Sequence, residues 1–458
     1  MTKSMGERAI VIGGSMAGLM AARVLADHFE NVTILERDTI DDCPAVHKSI
    51  PQGNQLHLLL AGGHQALARL YPEFTATLSE SGAVPVRMGM DMAFFTPERG
   101  KVYSFLGSLK EPHDLGYTTF NASRGLLEHC LRQVTRALQN VNFVPDCNVR
   151  ELAYANARVC GVICNADGPN GATETLTADF VIDAGGRGSH APTWLRQLGY
   201  AEPPATVIGS DFAYAGAKFR LRGDGPDERM IFAPGRAPDL PKAAGAEEIE
   251  GGIWHLILNG RFGDFPPADE AGFFAFAKSL YTPVFYDLFA VAERVSEIIP
   301  HRFPTSIQRH YERLPEFPEG FLVIGDAICS FNPIYAQGMS SAALQAEALQ
   351  RVLAERAGED QGTKELAREF FLKAAEVIST PWALAAGGDL AFPQTQGERP
   401  VNAAQTAAYF AGLDRLCAED SNALLLGMEV FSLLKPISAL FEEPLRSRVL
   451  AKMRASQA

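Results

Sequence analysis

The sequence has no run of 18 consecutive apolar residues, so it predicts no membrane-spanning helix. The segment before the first apolar run, residues 1–8, is short and polar and carries no cleavage-site pattern, so we expect no signal peptide. Cysteine is scarce: 7 residues in a chain of 458, an odd number scattered between Cys43 and Cys417. A secreted disulfide scaffold is usually denser in cysteine. We therefore predict reduced thiols and a cytoplasmic location.

Basic residues are also fewer than acidic residues. The chain carries 41 lysines and arginines against 54 acidic residues, a formal net charge of -13. This balance argues against a general nucleic-acid binder, which needs a positive field, although it leaves room for a local basic patch. Apolar residues make up 47% and charged residues 21%, an ordinary globular composition. The length predicts about three structural units.

A nucleotide-binding pattern occupies the first forty residues. An apolar, β-branched run over 9–12 predicts a strand buried in a parallel sheet. A glycine-rich turn over 13–18 follows, and apolar residues at helical spacing come next. A second apolar run over 32–35 ends at Glu36. Strand, glycine turn, helix, strand and acid in this order are typical of a dinucleotide-binding unit.

Each position in this pattern has a physical reason. Gly13 permits the tight turn, and Gly18 lets the helix pack close to the sheet, so that a pyrophosphate meets the helix N-terminus. Ser15 replaces the glycine at which the backbone approaches the pyrophosphate; its side chain could crowd the phosphate or donate a hydrogen bond to it. Glu36 can accept hydrogen bonds from a ribose hydroxyl and disfavours a 2′-phosphate. The alternative is an ordinary glycine-rich turn.

A second pattern lies three hundred residues later. The apolar run 321–324 predicts another buried strand, and it ends in Gly325 and Asp326. The loop 333–340 and a long helical pattern follow. Ligands of open α/β sheets bind at the carboxyl ends of the strands. A carboxylate there can accept hydrogen bonds from a polyol, and a helix N-terminus can hold an electron-rich carbonyl.

Together these segments resemble the class A flavoprotein monooxygenases, single-component FAD enzymes of the p-hydroxybenzoate hydroxylase fold. The branch most similar to this chain includes FAD-dependent epoxidases of polyether biosynthesis and related tailoring oxygenases. Further shared motifs lie at 51–59 (PQG and HLL), 123–128 (SRxLLE), 183–200 (DAGGRGS to LGY) and 325–339 (GDAxCSFNPxYxQGM). The likeness runs from about residue 8 to 355 and more weakly to the end.

The resemblance implies an α/β fold: a Rossmann-like FAD-binding domain with a mixed sheet, an antiparallel β substrate domain and a helical C-terminal region. The implied FAD-binding domain comprises 1–83, 121–203 and 311–360. The implied substrate domain comprises 84–120 and 204–310, and the helical region 361–458.

The resemblance also implies which residues contact FAD. The glycine loop and Glu36 would hold the pyrophosphate and adenosine ribose, Arg124 the phosphate or ribityl region, and Asp326 the ribityl chain or pyrophosphate. The complete set predicted to bind the cofactor is Gly13, Gly14, Ser15, Ala17, Gly18, Glu36, Arg37, Gln52, Arg124, Asp183, Gly185, Gly325, Asp326, Gln337, Gly338 and Met339. Gln337, Gly338 and Met339 would lie at the flavin edge.

The implied activity is insertion of one oxygen atom from O2, carried as a C4a-hydroperoxyflavin, into a hydrophobic metabolite by epoxidation or hydroxylation. We identify no catalytic base. Residues predicted to line the substrate pocket are Phe94, Phe212, Tyr214, Phe232, Trp254, His255 and Phe331.

The electron donor is expected to be NAD(P)H, acting directly or through a separate flavin reductase. Many class A enzymes carry an Asp-Gly pair that contacts both FAD and the nicotinamide, and here Gly185 stands at the aspartate position. Asp183 could instead cap the backbone N–H groups of Gly185 or Gly186.

Three alternatives stay open: a flavin halogenase, a prenyl-chain reductase, and a flavin-binding protein without oxygenase chemistry. Tryptophan-type halogenases carry a GWxWxIP stretch, of which this chain has only 252–254. No metal site is predicted. His57 and His64 could share a face of a predicted helix, and Cys160 and Cys164 lie in a predicted strand, but neither pair has a third ligand at matching spacing.

Overall fold

The computed structural model describes residues 5–40, 43–44, 51–165, 171–223, 225–359 and 362–455. The strands in chain order are β1 (Gly6–Ile12), β2 (Phe29–Leu35), β3 (Val84–Arg87), β4 (Met92–Thr96), β5 (Gly100–Val102), β6 (Thr118–Asn121), β7 (Val141–Val144), β8 (Asn148–Ala155), β9 (Arg158–Asn165), β10 (Thr173–Thr177), β11 (Phe180–Asp183), β12 (Ala205–Arg220), β13 (Met230–Ala233), β14 (Ala243–Ile249), β15 (Ile253–Arg261), β16 (Glu293–Arg294), β17 (Ile299–Arg309), β18 (Phe321–Val323) and β19 (Cys329–Ser330). The helices are α1 (Met16–Ala26), α2 (Ala61–Leu70), α3 (Phe74–Glu80), α4 (Arg124–Arg136), α5 (Ala191–Gln197), α6 (Glu270–Lys278), α7 (Val284–Phe289), α8 (Gly338–Glu359), α9 (Leu366–Leu390), α10 (Ala403–Cys417), α11 (Ser421–Phe431) and α12 (Leu445–Ala455).

A five-stranded parallel sheet forms the centre of the first structural unit, in the order β18-β11-β1-β2-β7. Its central strands are apolar because other elements cover the sheet: α1 packs against β1, β2, β7 and β11, and β9 packs against β11. Ile12 pairs with Asp183, and Asp183 pairs with Val323. The carboxyl ends of β1, β11 and β18 therefore lie side by side, and the turn that follows each strand opens at the same edge.

Helices α1 and α8 pack on this sheet through small and branched apolar residues. Leu19, Leu25, Ala343 and Leu349 are buried in the same cluster as the strand residue Val11. A separate antiparallel sheet, β10-β9-β8, joins this cluster through its own apolar residues. The α/β fold class expected from the sequence is confirmed.

The second large sheet has the order β19-β17-β12-β15-β14-β13-β4-β5, with β16 paired to β12. Neighbouring strands are antiparallel except β13 and β4, which are parallel. Segment 84–120 contributes β4 and β5 to this sheet, as expected, whereas β3 and β6 pair with each other in a two-stranded sheet. The exact domain boundaries stay a prediction.

The C-terminal part of the chain is helical, as the sequence predicts. Leu413, Leu424 and Val430 of α10 and α11 pack against Val86 and Val102 in a second hydrophobic cluster. The helices therefore cover the strands contributed by segment 84–120. Within the described ranges no helix is both long enough and apolar enough to cross a membrane.

The packing of α1 on β1 gives a stability prediction. A Cβ atom at Gly18 would lie 1.8 Å from the Gly13 carbonyl oxygen, which belongs to the rigid turn. We expect Gly18→Ala to lower the free energy of unfolding by about 1–3 kcal/mol, because the turn must shift to make room. Urea unfolding would measure this change.

Gly387→Ala is the matched control, because a Cβ atom there meets nothing within 4 Å and the residue lies in α9. An alanine at that position should leave stability unchanged or raise it slightly. Equal effects of the two substitutions would contradict the close approach at Gly18.

Candidate cofactor and substrate site

One large cavity of about 1870 Å³ begins at the carboxyl edge of the parallel sheet and extends to the inner face of the second sheet. Most of the residues predicted to bind the cofactor line it: Gly13, Ser15, Ala17, Glu36, Arg37, Gln52, Arg124, Asp183, Gly185, Asp326, Gln337, Gly338 and Met339. Gly14, Gly18 and Gly325 are not among its lining residues, and they shape the turns behind it. The folded chain thus brings together segments that are three hundred residues apart.

The first glycine turn presents a bare helix N-terminus to the cavity. Gly13 has φ +100, a conformation that disfavours a side chain, and a Cβ atom there would lie 2.8 Å from the Ala184 carbonyl oxygen. Ser15 precedes α1, but its side chain makes no capping hydrogen bond, and the first turn holds no acidic residue. The exposed N–H groups and the positive end of the helix dipole can therefore accept an anion.

Glu36 lies at the end of β2 and is buried. Its Oε2 atom accepts a hydrogen bond of 2.7 Å from the Gly14 N–H, and its Oε1 atom accepts one of 2.9 Å from the Asp38 N–H. These two bonds fix the carboxylate beside the first turn. Each oxygen retains a lone pair that could accept from a hydroxyl group.

Arg124, the first residue of α4, links the two ends of the site. Its Nη2 atom donates to Ser15 Oγ at 2.8 Å and to Glu128 Oε2 at 2.9 Å, and its Nη1 atom lies 3.1 Å from Met339 Sδ. Glu128 also accepts a bond of 2.7 Å from Arg132. The Ser15 hydroxyl donates to Glu128 at 2.7 Å, so its proton is used within the chain.

Asp183 shapes the turn after β11. Its Oδ1 atom accepts from the Gly185 N–H at 2.7 Å, and its Oδ2 atom accepts from Ser189 Oγ at 2.5 Å. Burial raises the pKa of Asp183, and these two hydrogen bonds offset part of that rise. The cap on Gly185 that the sequence allows is therefore present.

Asp326 follows β18 and is partly exposed to the cavity. Burial raises its pKa to about 6, and the positive charges of Arg124 and Arg187 limit the rise. Gly325 has φ +72, and a Cβ atom there would lie 2.7 Å from Ala17 Cβ. The second turn thus packs directly on the first turn of α1.

The predicted flavin-edge residues lie where α8 begins. Gln337 is 3% exposed, and its Oε1 atom has no hydrogen-bond partner among the described residues. The Ser341 N–H donates to the Gln337 carbonyl at 2.8 Å, and no acidic residue occupies the first turn of α8. A second helix N-terminus therefore opens into the same cavity.

The inner face of the second sheet forms an aromatic wall, which closes the side of the cavity away from the parallel sheet. The residues predicted to line the substrate pocket that line this cavity are Phe94, Phe212, Tyr214, Phe232 and Phe331. Phe94 and Phe232 stack with ring centroids 5.4 Å apart. This part of the cavity is suited to an apolar molecule.

The predictions for Trp254 and His255 are wrong, because neither residue lines the cavity. Side chains alternate along β15, so Trp254 faces the opposite side, where its ring lies 6.5 Å from that of Phe289. His255 is on the cavity side but is 2% exposed, in a closed space beside Gln55 and Gly216.

No family model matches the chain. The chain is 33% identical over 396 residues to Protein Rv3254 of Mycobacterium tuberculosis (strain ATCC 25618 / H37Rv), covering 86% of this chain and 82% of that protein. The chain belongs to the same family as Protein Rv3254.

Solved structures show the fold of this family. The flavin-dependent brominase Bmp2 matches with a TM-score of 0.68 at 12% identity, over 99% of this chain and 100% of that chain. The p-nitrophenol 4-monooxygenase PnpA from Pseudomonas putida DLL-E4 matches with a TM-score of 0.61 at 18% identity, over 94% and 99%. The predicted class A FAD monooxygenase fold is confirmed.

Several residues that line the cavity are not predicted by the sequence patterns. Arg187 directly follows Gly186, so its position in the 183–200 motif could have identified it as a site residue. Its guanidinium donates to Thr305 Oγ1 at 2.6 Å. Asn259 and Arg261 of β15, and Trp382 of α9, carry no motif. Only the three-dimensional packing of distant segments reveals them.

The histidine pair considered as a metal site is not on one helix. His57 lies in the loop before α2, whereas His64 lies within that helix, so the two do not share a helical face. Burial lowers the pKa of His57 to about 4, which keeps the ring neutral. No cluster of three metal-ligating side chains occurs in the described part of the chain.

Asp326 gives a prediction about the effect of pH on stability. Its folded-state pKa of about 6 is above the ordinary value of 3.8, so the folded chain holds this proton more tightly than the unfolded chain does. Ionisation therefore destabilises the fold above about pH 6, by about 1–3 kcal/mol, and this cost disappears as the pH falls towards about 4. Without added cofactor, Asp326→Asn should be more stable than the parent at about pH 7.5 and equal to it at about pH 4, as measured by urea unfolding.

Asp91→Asn is a control of opposite sign. The Arg87 guanidinium donates to Asp91 at 2.7 Å and lowers the pKa of that carboxyl. This substitution should reduce stability at neutral pH, and the loss should shrink as the pH falls. An Asp326→Asn variant with the same stability as the parent at every pH would show that the Asp326 carboxylate is well solvated.

Proposed function

We propose that the protein is an FAD-dependent monooxygenase that inserts one oxygen atom from O2 into a hydrophobic small molecule, by epoxidation or hydroxylation. The observation that carries this proposal is the single cavity in which the two glycine turns and the start of α8 face an aromatic wall. The similarity of the fold to a nitrophenol monooxygenase supports the same reaction class.

The residues present fit FAD at every part of an extended dinucleotide. Glu36 would hold the adenosine ribose, the bare N-terminus of α1 and Arg124 would hold the pyrophosphate, and Asp326 would accept from the ribityl hydroxyls. The start of α8 would contact the isoalloxazine, next to the unpartnered Gln337 Oε1 atom. Bound there, FAD would supply the two-electron chemistry and the reaction with O2.

The protein's own groups would then control water and charge. Phe94, Phe212 and Phe232 exclude water from the reacting region and orient an apolar substrate. Backbone N–H groups at Gly338 and Met339 would stabilise negative charge on a nearby carbonyl oxygen. Epoxidation of an alkene needs little more from side chains than orientation, so the lack of an identified base is compatible with this chemistry.

We propose NAD(P)H as the electron source, directly or through a separate reductase. Asp183, the carboxylate nearest to Gly185 in the chain, already bonds to the Gly185 N–H and to Ser189. It therefore supports the turn rather than offering a free carboxylate to a nicotinamide. This arrangement favours delivery of electrons by a reductase.

The second candidate function is halogenation of a similar apolar molecule. The fold similarity to the brominase Bmp2 over the whole chain is the observation that favours it. The two functions share the cofactor and the apolar pocket, and they differ in whether a halide ion is consumed.

The remaining parts of the proposal concern location and partners. Every cysteine of the chain is a free thiol, which fits the reducing conditions of a cytoplasm. The net charge of -13 favours a small-molecule substrate over nucleic acid.

Flavin binding gives the first test. Glu36→Ala removes the acceptor predicted for the ribose, and Asp326→Asn removes the one predicted for the ribityl chain. Each should weaken FAD binding by about 1–3 kcal/mol, about 5- to 150-fold in Kd, measured by quenching of flavin fluorescence. Asp239→Asn, in an exposed turn, is the control and should bind FAD normally. Purified protein that takes up no flavin would contradict the assignment.

Turnover gives the second test. Aerobic reactions would contain NADH or NADPH, with and without an added flavin reductase, and a panel of hydrophobic alkenes and phenols, with or without bromide. We expect products heavier by one oxygen atom, labelled by 18O2 and independent of bromide, and a higher rate with the reductase. Brominated products would support the halogenase function instead, and flavin reduction without any modified product would contradict both.

A further inference from the structure

The aromatic wall contains a small polar site built on β15. Ile257, Asn259 and Arg261 lie at alternate positions, and all three line the cavity, whereas Leu256 and Leu258 face the opposite hydrophobic cluster. The cross-strand partners on β12 are Tyr214 beside Asn259 and Phe212 beside Arg261. Two polar side chains therefore sit beside the aromatic rings of Tyr214 and Phe212 on this wall.

Both polar side chains are buried with unused hydrogen-bonding capacity. Arg261 is 3% exposed and Asn259 is 5% exposed. Arg261 Nη1 and Asn259 Oδ1 have no hydrogen-bond partner among the described residues. Burying a polar atom without a partner costs free energy, so a ligand that supplies the partner would gain affinity at this position.

The Arg261 guanidinium is held rigidly. Its Nη2 atom donates to Asp389 Oδ1 at 2.8 Å, and both side chains are almost completely buried. Its central carbon lies 5.3 Å from the ring centroid of Phe212 and 4.8 Å from that of Phe392. The two aromatic rings and the carboxylate fix the orientation of the group, so Nη1 is a preorganised donor.

The charge balance indicates what this donor can bind. Asp389 already compensates the positive charge of Arg261 within the buried pair. A substrate carboxylate would add a negative charge that this pair cannot neutralise in an apolar environment. A neutral acceptor, such as a carbonyl oxygen, satisfies the Nη1 donor without adding charge.

We propose that Arg261 and Asn259 form a substrate subsite for an apolar, ring-containing molecule that carries a neutral carbonyl oxygen and a hydroxyl or N–H group. Arg261 donates to the carbonyl oxygen, and Asn259 accepts from the second group. The proposal rests on the proposed function, because it names the substrate class of the same cavity.

The subsite is tied to the predicted flavin-edge loop. Asp389 also accepts from Asn332 Nδ2 at 2.9 Å and from the Tyr335 hydroxyl at 3.0 Å. One buried carboxylate therefore holds both Arg261 and the loop that leads to α8. A substrate bound at Arg261 would sit at a fixed distance from that loop, which would select the position on the substrate that reacts.

Three matched probes test the chemistry: 2-acetylnaphthalene with a neutral carbonyl, 2-ethylnaphthalene without oxygen, and 2-naphthoate with a carboxylate. Binding to the full chain in the presence of FAD would be measured by calorimetry. We expect the ketone to bind about tenfold more tightly than either of the other two probes. Equal binding of the ketone and the hydrocarbon, or tightest binding of the carboxylate, would overturn the proposal.

The variants separate this subsite from other cationic groups in the cavity. Arg261→Met combined with Asp389→Asn removes both buried charges together, so no unpaired carboxylate is left to unfold the chain. It should abolish the preference for the ketone over 2-ethylnaphthalene. Arg302→Met is the control: Arg302 also lines the cavity but is paired with Asp211 at the surface, so the preference should persist.

The outcome for the subsite is distinct from the outcome for the enzyme. A preference retained in the double variant, or lost in Arg302→Met, would overturn the proposal even if FAD binds and turnover occurs. A ketone preference in protein that retains no FAD would support the subsite and contradict the monooxygenase function.

Discussion

The site depends on one constraint: β1, β11 and β18 are neighbours and run parallel. Their carboxyl ends form a single edge, so the turns that contain Gly13, Gly185 and Asp326 open into the same space. Gly325 can approach Ala17 only because both turns lie at that edge. If β1 and β18 were far apart or in different sheets, the two glycine turns would occupy separate surfaces, and neither alone would bind an extended dinucleotide.

The buried charges around Arg124 follow from the same geometry. Two arginines, Arg124 and Arg132, pair with the carboxylate of Glu128 beside the first turn of α1. A buried ion pair is often no more stabilising than apolar packing, so stability alone is a weak explanation for it. The Arg124 guanidinium, together with the positive end of the helix dipole, is suited to an anion such as a pyrophosphate.

Local sequence patterns predicted the part of the fold around the parallel sheet well, because a strand, a glycine turn and a helix are encoded within about twenty consecutive residues. The substrate wall was harder to predict. Alternation identified β12 and β15 as strands but did not show which face was covered, so Trp254 was placed on the wrong side. The link between Arg261 and Asp389 joins residues 128 positions apart and follows no motif. Such contacts are determined only when the helices dock on the sheet.

Helix α9 of the C-terminal region therefore does more than cover the sheet, because its Asp389 accepts a hydrogen bond from Arg261 of the aromatic wall. Burial raises the pKa of Asp389, and the adjacent Arg261 charge counteracts this rise, so Asp389 depends on Arg261 to stay charged away from water. Because Asn332 and Tyr335 donate to the same carboxylate, the loop before α8 depends on that pair as well. The aromatic wall and the loop before α8 are thus positioned by one shared group. A substitution in the aromatic wall that displaces Arg261 would therefore also displace the loop before α8, where the cofactor is expected to react.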